Sequence, residues 1–151
     1  FRFARGATLQ SMSSWHEPND LEVSQILRDA KSVAIVGISD NPEKASYGVA
    51  KWLIDNTDYE LYFVNPRLET VFGQKVYKTV SEIPAPIDIM DLFRKSGDLP
   101  INLEDALIAK PKVFWMQLGI KNQEVAEKAA EAGMIAIQDR CIKIEAAKLR
   151  P

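Results

Sequence analysis

The residue types that could do chemistry gather in one short stretch. In "SVAIVGISDNPEKASYGVAKWL", residues 32–53, an apolar run ends at Gly37, a polar loop follows, and a helical pattern begins near Ser46 and Tyr47. Glycine has no side chain, so backbone there can approach a ligand closely. Ser39 offers a hydroxyl and Lys44 a full positive charge. A helix starting at Ser46–Tyr47 points free N–H groups and the positive end of its dipole at the same place. Together these features suit an anion, and a pyrophosphate in particular. The alternative is a strand-to-helix turn with no ligand, because a single glycine is a weak signal.

A dinucleotide site carries G-x-G-x-x-G, with an acid about 20 residues further on that holds the ribose hydroxyls. This chain has Gly37, then Ser39 and Pro42 at the other two glycine positions. After the next apolar run stands Asn65-Pro66-Arg67, with no acid. An acid there would repel a ribose that carries a phosphate, whereas Arg67 would attract one. The pattern disfavours NAD and suits NADP, or coenzyme A with its 3′-phosphate. Taken alone, Arg67 reads equally well as a solvated surface arginine.

Reaction chemistry is harder to assemble. The one histidine, His16, lies far from the other candidates in sequence. No Ser-His-Asp set can be built, and one Cys with one His makes no metal cluster. Asp88 and Asp91 face opposite ways on a strand, so paired acid–base work by them is disfavoured. Asp88 is expected within the strand or at its entry, Asp91 near the edge of the site. Cys141, in "QDRCIKIE", falls on the ligand side of the sheet. It reads as a small buried apolar residue ahead of a thiol-exchange group. Trp52 and Trp115 read as core, with Gln117 the first residue free to meet a ligand.

The elements that must position these residues follow from the apolar pattern. The 151 residues suffice for one ordinary domain, 46% hydrophobic and 26% charged, as in soluble globular proteins. A net charge of −2 gives no reason to expect nucleic acid or a membrane surface as partner. No apolar run approaches the roughly 18 residues of a membrane span. The single cysteine excludes an internal disulfide framework and fits a reducing compartment. Short apolar runs at 33–36, 61–64, 87–92, 113–116 and 134–137 read as strands.

Helical patterns alternate with these runs. One starts at Pro18-Asn19-Asp20 with Leu21, Ile26 and Leu27 as its apolar stripe, and one spans 47–56 with Val49, Ala50, Leu53 and Ile54 inward. Others span 100–109, 122–132 (capped by Asn122 and ended by Gly133) and 141–149. Residues 67–86 read as loop, with an edge strand suggested at 75–77 and a single turn capped by Ser81. The alternation predicts a three-layer α/β Rossmann-like fold with a five-stranded parallel sheet. The order 3-2-1-4-5 is preferred over the flavodoxin order because a nucleotide-type turn follows the first strand.

Residues 1–17 form an N-terminal arm and 18–151 the domain. The arm's start holds Arg2 and Arg5, several Ser and Thr and no acid over 1–16, and the chain begins at Phe1. That composition resembles the end of an organellar transit peptide, which points to the mitochondrial matrix; an artificial or fragment terminus leaves the cytoplasm. The arm is expected outside the core, as a docking element for protein partners, with the domain folding and binding without it.

The blocks "VAIVGISDNPEKASYGVAKWL", "YFVNPR", "GQKVYKTVSEIPAPIDIMDLFR", "VFWMQLGIKNQEVAEKAAEAGM" and "DRCIKIE" resemble the stand-alone CoA-binding domain family. That family is similar to the CoA-binding domain of the succinyl-CoA synthetase alpha subunit. The resemblance covers about residues 20–146, with the blocks in the same order. It implies a Rossmann-like CoA-binding fold with the ligand across the carboxyl ends of the strands. By block, it implies that Gly37, Ile38, Ser39 and Asp40 form the phosphate turn. Asn65, Pro66 and Arg67 would lie beside the adenosine end, and Leu92, Phe93 and Arg94 in the next loop. Gln117, Leu118 and Gly119 would lie near the pantetheine arm. Lys44 is the only basic candidate before Tyr47, where many relatives carry a basic residue.

The resemblance puts the synthetase's catalytic histidine in a second domain, and none of the blocks quoted above is expected to belong to it. The leading expectation is a non-catalytic module that binds coenzyme A or acyl-CoA without a metal. The alternatives are an accessory or structural subunit of a larger assembly, and an NADP-binding oxidoreductase fragment, for which no hydride-site pair is evident.

Overall fold

A computed structural model describes residues 15–150. The continuous apolar runs become strands β1 (Ser32–Val36), β2 (Glu60–Val64), β5 (Ile89–Leu92), β6 (Val113–Met116) and β7 (Ile135–Ile137). Two short strands, β3 (Thr70–Val71) and β4 (Gln74–Tyr77), form a hairpin before β5. The helices are α1 (Asp20–Asp29), α2 (Ala45–Asn56), α3 (Leu99–Ala109), α4 (Gln123–Glu131) and α5 (Ile142–Ala147).

The seven strands lie in the order β3-β4-β2-β1-β5-β6-β7, parallel except for the β3–β4 pair. The α/β Rossmann-like architecture is the expected one; the strand count and order differ in detail. The sequence reading puts the 87–92 run outside β2, but it lies on the other side of β1, between β1 and β6. The place beside β2 belongs to β4, which pairs there only through Phe63–Val76 and Val64–Tyr77. So short a strand carries a faint apolar signal, yet it decides the order. The winding reverses between β1 and β5, and an open α/β sheet leaves its ligand crevice at such a point.

Alternation along the strands divides the core. Ala34, Val36, Met90, Leu92, Phe114 and Met116 face one layer, with residues of α3 and α4. Val33, Ile35, Ile89, Val113 and Trp115 face the other, with residues of α1, α2 and α5. The α1 start is a capping box, Asn19 with Glu22. Its buried stripe is Val23 and Leu27; Leu21 is exposed, a correction to the apolar stripe read from sequence. On α2, Val49, Ala50 and Leu53 are buried as expected, but Ile54 faces solvent. Asn122 caps α4, and Gly133 follows it at φ +96°. The turn at 80–82 has no side-chain cap, and Ser81 lies inside it.

Candidate functional site

Gly37 opens the turn after β1. Its N–H and that of Ile38 both donate to the Val64 carbonyl, at 2.9 and 3.3 Å, which ties the turn to the end of β2. Gly37 has φ +89°, and a Cβ added there would lie 2.6 Å from the Phe93 carbonyl oxygen and 3.0 Å from Arg94 Cδ. Any side chain at this position would collide with the loop after β5, so Gly37 serves the close packing of two loops. Arg94 crosses the turn and pairs with Asp98 at 3.5 Å, with its side chain still 35% exposed.

The polar loop is held by its own side chains. Ser46, at the start of α2, is buried, and its hydroxyl accepts the Ser39 N–H at 3.0 Å. Ser39 Oγ accepts the Asn41 N–H, and Asn41 Oδ1 accepts the Glu43 N–H. Lys44 occupies the N-cap position of α2 and makes no side-chain cap. The first N–H groups of this helix thus have no capping side chain, the condition in which a helix N-terminus attracts an anion. Asp40 and Lys44 are exposed, and Tyr47 packs its ring 4.6 Å from that of Phe72.

At the end of β2, Asn65 acts as a staple. Its Nδ2 donates to the Ile38 carbonyl at 2.6 Å, and its Oδ1 accepts the Arg67 N–H at 2.8 Å. Pro66 and Arg67 are exposed. Lys78, just past β4, donates from Nζ to the Pro66 carbonyl at 3.3 Å. It adds a second cation beside Arg67, which sequence reasoning missed; its signal was its place directly after the 75–77 edge strand.

Past β6, the side-chain carbonyl of Gln117 is taken up by the fold. The residue is buried, and its Oε1 accepts the Ile142 N–H at 2.9 Å, anchoring α5. Leu118 is exposed, and Gly119 at φ +85° donates its N–H to Asp139 Oδ1 at 2.7 Å. Trp115 is core, as expected, with its indole N–H on the Arg140 carbonyl. Arg140 is committed to Asp20, Glu145 and the Pro18 carbonyl, and the half-buried Cys141 takes the N-cap position of α5.

The side chains of Ile38 and Leu92 lie in the core, so they can offer a ligand only backbone, while Phe93 is half-buried above β5. Asp91 is a correction as well. It is fully buried on the face of Ile35 and Trp115, and both of its oxygens lack a hydrogen-bond partner. Burial holds its carboxyl well above the usual range. Among the described residues, no three His, Cys, Asp or Glu side chains are placed to hold a metal, and no helix is long and apolar enough to cross a membrane.

The loops after β1, β2, β5 and β6 therefore meet at one end of the sheet, as their parallel strands require. Residues 31–147 match the family described as "CoA binding domain". The chain is 39% identical to the uncharacterized protein YneT of Bacillus subtilis (strain 168), over 84% of this chain and 93% of that one. It is 41% identical to the Pyrococcus furiosus acetate–CoA ligase [ADP-forming] II subunit alpha, over 70% of this chain but only 19% of that longer protein. A solved structure, a hypothetical protein from Pyrococcus horikoshii OT3, superposes with a TM-score of 0.84 at 36% identity, covering 89% of this chain and 94% of that one.

Proposed function

The chain belongs to the CoA binding domain family, and from that premise we propose that it binds coenzyme A or an acyl-CoA and does no chemistry on it alone. The observation that carries the reading is the uncapped α2 N-terminus at the crevice between β1 and β5. Lys44 and Arg94 come from the two loops bordering it. In this reading the pyrophosphate lies against the start of α2, the adenosine 3′-phosphate near Arg67, and the pantetheine arm toward Leu118 and Gly119. The non-catalytic part rests on His16, the chain's one histidine, which is 77% exposed beside Glu22, away from these loops.

A second reading, an accessory subunit that keeps the fold, draws on the Pyrococcus furiosus relative, whose name makes it one subunit of a ligase. Thermal-shift titration separates the readings. Binding stabilises the native state by RT ln(1 + [L]/Kd), about 2.7 kcal/mol at 100 times Kd. CoA and acetyl-CoA are expected to raise Tm, and NADPH to leave it unchanged. No shift with either thioester carrier would reject the proposal, and a shift with NADPH alone would favour the oxidoreductase reading. Calorimetry tests the finer point: CoA is expected to bind more tightly than dephospho-CoA, and Arg67→Ala to remove about 1.5–3 kcal/mol of that preference.

A further inference from the structure

Strand β7 ends the sheet, and its outer side faces residues 15–20. The Ile135 N–H donates inward to the Lys112 carbonyl. By the alternation of a parallel ladder, Ala136 and Gln138 then turn their peptide groups outward. An edge with free N–H and C=O groups is a template for another strand. Here two side chains occupy it. The Trp15 indole donates to the Ala136 carbonyl at 3.1 Å, and Glu17 Oε2 accepts the Gln138 N–H at 3.2 Å. Trp15 and Glu17 are two residues apart, as are the groups they meet, so the spacing fits the strand repeat.

The far end of this segment is tied down too. Arg140 donates to the Pro18 carbonyl at 3.3 Å and pairs with Asp20 at 3.0 Å. Asn19 then starts α1. The segment thus runs parallel to β7 where another strand would lie, but it binds through side chains. It satisfies one acceptor and one donor without presenting the ladder of a new edge strand.

We infer that residues 15–18 are an edge strap, and that the surface beneath them pairs with β7 of a second copy of this chain when the strap is undone. The edge is self-complementary. Antiparallel pairing about a two-fold axis at Ile137 sets Ala136 of one copy opposite Gln138 of the other. Each Ala136 carbonyl then meets a Gln138 N–H, the two groups the strap now satisfies. Ile135, 43% exposed, adds apolar surface beside them. A contact of this kind is isologous and closes at two copies.

The test uses the full chain and the double variant Trp15→Ala/Glu17→Ala, shown folded by circular dichroism. Light scattering across a concentration series gives the mass, and hydrogen exchange gives protection at the Gln138 amide. The wild type is expected to hold one mass with Gln138 protected. The variant is expected to exchange Gln138 about tenfold faster when dilute, and to double in mass with that protection restored when concentrated. Glu17→Gln keeps a carbonyl acceptor and is expected to behave as the wild type. A folded variant with wild-type mass and exchange overturns the proposal, as does association that leaves Gln138 unprotected. If the double variant does not fold, Glu17→Ala is read by the same criteria.

Discussion

The two ends of β5 carry one aspartate each, and they are built on opposite plans. At the amino end, Asp88 accepts the Lys31 and Ser32 N–H groups at 2.7 and 3.3 Å and lies 3.5 Å from the Lys112 ammonium. Burial pushes its pKa up, but those donors and that charge outweigh it and hold the carboxyl below its ordinary 3.8. At the carboxyl end, Asp91 has no partner and is buried completely. Beside it the chain crowds, with the Phe93 carbonyl and Arg94 pressed on Gly37.

The amino end also holds an open concavity of about 880 Å³, lined by residues that include Leu27, Lys31, Tyr59 and Arg150. Size alone would make it the binding site. The closely packed glycine turn and the unsatisfied carboxyl lie at the other end, and a buried polar group without a partner is a local cost of the kind that concentrates where a fold serves function.

The sharpest test of this contrast is Gly37→Val. The steric overlap and the left-handed backbone together are expected to cost about 2–5 kcal/mol, lowering Tm as well as binding. Gly119→Ala is the control. It shares a positive φ of +85°, but an added Cβ meets nothing within 4 Å, so its cost is expected near 1–2 kcal/mol. Equal losses in urea denaturation would mean that crowding at Gly37 contributes nothing.

Asp88→Asn is expected to cost about 1.5–3 kcal/mol at neutral pH, because charge-assisted hydrogen bonds are weakened. The native pKa of Asp88 lies below the unfolded value. Its contribution is therefore present above about pH 4 and is lost as pH falls through the native pKa. The variant's acid limb should be flatter than the wild type's in pH-dependent melts.

Asp91→Asn is expected to act in the opposite direction. With a native pKa well above 3.8, stability from this site is greatest below about pH 4, where both states are protonated. It falls as the unfolded carboxyl ionises and the native one does not, until pH passes the native pKa. The amide should thus stabilise the fold by about 1–2 kcal/mol at pH 7 and remove that slope. A destabilised variant with the slope intact would show that Asp91 is partnered in solution.

The smallest effect is expected from Lys78→Ala. An exposed cation contributes about 0.2–1 kcal/mol, so CoA should weaken by a few-fold in calorimetry, with dephospho-CoA unchanged. An equal loss for both ligands would move Lys78 away from the 3′-phosphate.

The apolar runs, their lengths and the alternation with helices are local properties, and they were legible from residue order alone. So were the Asn19 and Asn122 caps, because a cap needs only neighbours within four residues. The Gly37 turn was legible as special, but the reason for its glycine was not, since Phe93 and Arg94 lie more than fifty residues away in the chain. The same holds for the strand order, decided by two paired residues of β4, and for the Gln117 carbonyl oxygen, whose partner on α5 lies 25 residues further on. Trp15 and Glu17 read as an arm because nothing near them in sequence needs them; the edge of β7, 121 residues further on, does. Sequence determines what each segment can form by itself. Long-range packing in the tertiary structure determines which polar groups are left to be satisfied, and by whom.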